Sequence, residues 1–68
     1  MNFNDFTPEN LDKFRLLCNF TKDERQYFEL RLKNYSNVKI ALEMYVSESQ
    51  VSKLAKRVKS KITRIINT

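Results

Sequence analysis

The 68 residues contain no glycine, no histidine, no tryptophan, one proline and one cysteine. Without glycine there is no phosphate-cradling loop and no G-x-S-x-G elbow. Without histidine, and with one cysteine, the usual general base and the usual zinc ligands are missing. The carboxylates form no cluster with metal-binding spacing, and the adjacent pair Asp23 and Glu24 is explained by the preference of helix N-termini for acids. The expectation is a binding protein rather than an enzyme, with no cofactor and no metal. Cys18 has no partner for an internal disulfide. It lies beside Leu17 and at helical spacing from Phe14 and Leu11, which makes it a small buried hydrophobe. A reducing cytoplasm fits that usage, and the N-terminus lacks the basic-then-apolar layout of a secretory signal. No run approaches the roughly 18 apolar residues that span a bilayer, so no membrane partner is expected.

A chain of this length supports one domain and buries only about 60% of its unfolded surface, so its stability is marginal. A hydrophobic content of 41%, with five phenylalanines and three tyrosines, still favours a folded core over disorder. The formal charge is +5, and it is unevenly placed. Residues 1–50 carry seven bases and eight acids, for −1. Residues 51–68 carry Lys53, Lys56, Arg57, Lys59, Lys61 and Arg64 with no acid, for +6. A basic segment attracts polyanions, whereas evenly spread charge mainly keeps a protein soluble.

Capping residues punctuate the chain in place of glycine, and they predict an all-α fold of four helices. Thr7-Pro8-Glu9 gives an N-cap, a proline at the first helical position and an early acid, with Phe6 and Leu11 at staple spacing. The first helix then runs from Pro8 to about Asn19. Thr21 and Glu24 form a capping box that opens a second helix to about Lys33. Asn34 closes it, because asparagine tolerates the left-handed conformation best after glycine. Ser36 caps a short third helix carrying Val38, Ile40, Ala41 and Met44, with Tyr35 and Ile40 as staple partners, before a turn at Tyr45 and Val46. Ser47 and Gln50 make a second capping box, with Val46 and Val51 as the staple, and open a last helix that continues to about Ile66.

Wound at 100° per residue, that last helix places Val51, Leu54, Ala55, Val58, Ile62, Ile65 and Ile66 on one broad face. Ser49, Lys53, Lys56 and Ser60 point the other way, flanked by Ser52, Arg57 and Arg64. One face is core and the other is cationic. Small hydroxyl residues let a helix backbone approach a groove floor, and lysines reach phosphates and base edges. Phosphate would repel acids there, which accounts for their absence. A short helix, a tight turn and a second helix with an exposed basic face is the layout of a helix-turn-helix, whose second helix enters the major groove.

Residues 20–62, FTKDERQYFELRLKNYSNVKIALEMYVSESQVSKLAKRVKSKI, resemble the DNA-binding domains of sigma factor region 4 and of LuxR-type response regulators. The likeness rests on T-x-x-E-R at Thr21 to Arg25, E-L-R at Glu29 to Arg31, Y-S-N-x-x-I-A at Tyr35 to Ala41, and V-S-E-S-x-V at Val46 to Val51. It implies a single helix-turn-helix domain over 1–68, with an extra N-terminal helix in 1–20 and a sigma-like core in 21–68. The third helix would then position and the fourth would recognise. Base contacts would fall near Glu48, Ser49, Ser52, Lys53 and Lys56, with phosphate contacts around them, and Arg57 and Ser60 belong to the same DNA-binding set. Ser36 and Asn37 would offer a phosphate site at the entry to the positioning helix. Tyr45 stands at a turn position that often holds glycine in the family. A continuous last helix in place of a separate C-terminal dimerisation helix points toward the sigma-like branch.

The partners implied are double-stranded DNA and, for a sigma-like protein, RNA polymerase. The richness in Asn, Lys and Ile suggests a bacterial or phage genome. The alternative is a helical interaction module that binds such a partner or self-associates weakly through its C-terminal helix. A last helix of about 30 Å outruns the three before it, so Ile62, Ile65 and Ile66 are expected to overhang and form that contact.

Overall fold

Four hydroxyl side chains start four helices. In the computed structural model, which describes residues 6–67, these are α1 (Pro8–Leu17), α2 (Lys22–Leu32), α3 (Asn37–Met44) and α4 (Glu48–Ile66). The side-chain oxygens of Thr7, Thr21, Ser36 and Ser47 accept from the backbone N–H three residues on, each at 3.2 Å. Each satisfies a donor that the first helical turn leaves unpaired. At α2 the box is reciprocal, because the Thr21 N–H also donates to Glu24 Oε1 at 3.0 Å. At α4 only the hydroxyl half is made, through Ser47 and the Gln50 N–H. The all-α fold is as the sequence predicts.

Three corners take positive φ, and none is glycine: Asn19 at 52°, Asn34 at 66° and Tyr45 at 58°. Asn34 ends α2 as expected, with the Tyr35 N–H reaching back to the Leu30 carbonyl at 3.4 Å. Asn19 corrects the first helix, which stops at Leu17 rather than near Asn19. Cys18 caps it by donating to the Phe14 carbonyl, and the left-handed Asn19 turns the chain toward Thr21. Tyr45 ends α3, where the Val46 N–H donates to the Ala41 carbonyl at 3.0 Å. An aromatic residue in this conformation carries a penalty of roughly 1–2 kcal/mol.

These corners yield a test. Asn34→Gly is expected to melt at or slightly above the parent temperature, and Asn34→Val to lose about 1 kcal/mol or more. Thermal denaturation followed by circular dichroism reads both. A valine variant as stable as the parent would contradict a left-handed residue 34.

α4 is the spine, and it packs against α1, α2 and α3. It contributes Val51, Leu54, Ala55, Val58 and Ile62 to a core completed by Phe14, Cys18, Tyr27, Phe28, Ile40 and Ala41. Phe20 packs on Phe28 with ring centroids 5.1 Å apart, and Phe6 meets Phe14 edge-on at 4.9 Å. Arg15 fastens α1 to α2 through Glu29, at 2.6 and 3.3 Å, and also pairs with Asp12 at 2.8 Å. Cys18 is buried as its spacing predicts. Burial pushes its thiol pKa up against the opposing charge of Lys61, so it is a poor nucleophile at neutral pH.

The expected overhang is corrected in part. The domain is 32 Å long, and the 19 residues of α4 extend nearly that far at 1.5 Å each. α1 lies along the C-terminal half of α4 and closes over it. Ile62 is fully buried, Ile65 is partly packed, and only Ile66 is half exposed. Phe6, Phe14, Ile65 and Ile66 line a cleft of about 340 Å³ there, beside Asn10 and Lys13. Ile62 is therefore unavailable for self-association. No helix among the described residues is long and apolar enough to cross a membrane.

Candidate nucleic-acid interface

The outer face of α4 is built by subtraction. Its inner positions are consumed by the core, and every other residue from Glu48 to Arg64, apart from Lys61, is exposed. Ser49, Ser52, Lys53, Lys56, Arg57 and Ser60 all lie on this exposed surface, with Glu48 in its first turn. Among the described residues, Lys53, Lys56, Arg57 and Lys59 enter no ion pair. Their charge faces solvent uncompensated, apart from Glu48 at the N-terminal end. Ser36 and Asn37 are exposed at the start of α3, and the Ser36 hydroxyl is occupied in capping the Lys39 N–H.

Lys61 departs from its segment. Its ammonium turns inward to Glu24 Oε1 at 2.5 Å and to the Asn19 carbonyl at 3.2 Å. Among the described residues, Glu24 is the one charged side chain in the buried set. Burial alone would raise its carboxyl pKa. The hydrogen bonds from Lys61 and from the Thr21 N–H, with the Lys61 charge, outweigh that, and the carboxyl sits below its ordinary value. Lys61 thus latches α4 to the corner between α1 and α2. The sequence signal for this was spacing: Lys61 lies seven residues after Leu54 and four before Ile65, on the rim of the apolar face. Lys59 and Arg64 are the opposite case, exposed cations that the candidate set omitted although they lie in the same segment.

Beyond Glu48 the exposed charge of this surface is of one sign. Five exposed bases remain after Lys61 is withdrawn (Lys53, Lys56, Arg57, Lys59 and Arg64), interleaved with serines that hold no bulk. Among the described residues there is no group of three His, Cys, Asp or Glu placed to hold a metal ion. Comparison with protein families, with curated proteins and with solved structures produced no match for the chain.

Proposed function

We propose that this chain binds double-stranded DNA by laying the outer face of α4 in the major groove, as a sequence-specific transcription factor or sigma-like regulator. The observation that carries the reading is the two-sidedness of α4. One helix holds five core residues on one side and presents Lys53, Lys56 and Arg57 among Ser49, Ser52 and Ser60 on the other. The hydroxyls leave room for close approach, and the cations meet phosphates and base edges. The short α3, the turn at Tyr45 and Val46, and the long α4 give the helix-turn-helix order. The likeness to sigma region 4 and LuxR-type domains supports the same role, in bacterial or phage cytoplasm, with RNA polymerase as a further partner. No catalytic step, cofactor or metal enters this reading.

The salt dependence of binding tests it. Five exposed cations acting on phosphates give log affinity falling against log salt with a slope of about −4 to −5. Fluorescence anisotropy with a labelled mixed-sequence duplex, titrated from 50 to 300 mM salt, measures the slope. Affinity independent of salt would remove the nucleic-acid reading. One recognition helix alone makes a small interface, so micromolar binding is expected, and useful specificity requires a second copy or a tether.

A further inference from the structure

α3 has an apolar face that the fold does not use. Ile40 and Ala41 are buried and Met44 is partly packed, while Val38, Leu42 and Tyr45 are 54%, 71% and 95% exposed. Val38 and Leu42, four apart, lie in one line along the helix, and Tyr45 continues it as the residue that caps α3. Val46, 36% exposed, extends the patch beyond the turn. Tyr45 adds an independent observation, since it holds a left-handed backbone that disfavours aromatics while its ring stays in solvent. Its backbone closes α3, with the Val46 N–H donating to the Ala41 carbonyl at 3.0 Å, while the ring packs on nothing that would favour an aromatic there.

The charges beside this line say what covers it. Lys39 and Glu43 are the exposed charged residues of α3, opposite in sign, four apart and on one flank of the apolar line. Among the described residues Glu43 makes no ion pair, and Lys39 rests 4.1 Å from the centroid of the Tyr35 ring. When two copies of such a helix pair antiparallel about a twofold axis near Ala41, residues of one flank face the same flank of the partner. Position 39 then meets position 43 of the other copy, twice. The same axis brings the two Leu42 side chains together and sets Val38 against Tyr45 of the second copy. The pattern is self-complementary in charge and in apolar register, as an isologous contact requires.

We propose that the α3 face is a homodimer surface, in which two copies pair antiparallel through Val38, Leu42 and Tyr45 and are held in register by reciprocal Lys39–Glu43 ion pairs. The face offers three exposed apolar side chains and one charge pair per copy, fewer than the roughly 20–30 residues that each partner of a standard stable interface contributes. The dimer is therefore weak and concentration-dependent. It leaves the outer face of α4 uninvolved, so it stands apart from the DNA reading.

Charge exchange tests the register. Sedimentation velocity of the full chain from 10 to 500 μM is expected to show a monomer–dimer equilibrium. Leu42→Glu abolishes it, and Glu43→Lys weakens it at least tenfold by setting like charges face to face. Lys39→Glu does the same, and mixing the two single variants restores association as a heterodimer. The double exchange Lys39→Glu with Glu43→Lys restores the homodimer. Tyr45→Gly melts higher than the parent and dimerises less. All these positions are exposed, and circular dichroism verifies that each variant keeps its helices. A parent monomeric at 500 μM overturns the proposal, and so does a mixture of the two single variants that associates no better than either alone. Anisotropy with DNA, run on the same variants below the dimerisation range, reads the α4 face separately.

Discussion

Lys61→Ala is expected to lower the melting temperature by about 10–20 °C, a loss of roughly 2–3 kcal/mol. The side chain of Glu24 is 4% exposed, and removing Lys61 leaves that carboxylate buried with Thr21 alone, through its N–H and hydroxyl, to satisfy it. The full penalty for breaking a buried pair is larger, but the Lys61 side chain is 28% exposed, and water reaches the gap. A domain of this size is stable by only roughly 3–10 kcal/mol in total, so the loss is a large fraction. The effect depends on pH. Because Glu24 titrates below its ordinary value in the folded state, the stability it contributes is present above the unfolded pKa of about 4.3 and is lost as pH falls through the folded value. The gap in melting temperature between parent and variant should accordingly close between about pH 5 and the acid limit of folding. A gap that stays constant down to pH 3 would show that Lys61 acts through its hydrocarbon stem. Replacing both partners, Glu24→Gln with Lys61→Met, should recover part of the loss.

Lys53→Ala combined with Lys56→Ala has the opposite signature on the same helix. Both side chains are exposed and unpaired, so melting should shift by less than about 0.5 kcal/mol. DNA affinity should fall about 30-fold at 0.15 M salt, because two phosphate contacts are each worth about 0.9 of a log unit per log unit of salt. The salt slope becomes shallower by about 2. Anisotropy and thermal melts on one preparation separate the two readouts. Unchanged affinity would mean that α4 is not the recognition helix, whatever else the domain binds.

The helix starts were legible because they are local. A hydroxyl and the N–H three residues on belong to one turn, and each of the four caps could be named from a window of four residues. The split of α4 into core and cationic faces was equally local, since winding one helix needs only its own sequence. Asn19 was not legible. The caps place the helix end near Asn19 but not its left-handed turn, whose carbonyl meets Lys61, 42 residues away in sequence. Lys61 itself reads with its basic neighbours because its partner Glu24 lies 37 residues away in sequence, on another helix. The burial of Ile62 followed from α1 folding back along α4, which the order of elements does not specify. Val38 reads with the apolar residues of the third helix, yet with Leu42 it lies outside, on the side of this eight-residue helix turned away from α4 and α2.

α4 carries the core on one side and the proposed binding face on the other, and it packs against each of the other helices. No part of the domain can therefore open by releasing α4 without unfolding the whole. In hydrogen-exchange terms, the amides of α4 belong to the last cooperative unit to open, and the mobile, low-stability segments from which switches are usually made are drawn from elsewhere. A ligand held on its outer face would raise protection across all four helices by one common free energy set by its concentration and affinity, rather than marking a footprint on the helix it touches.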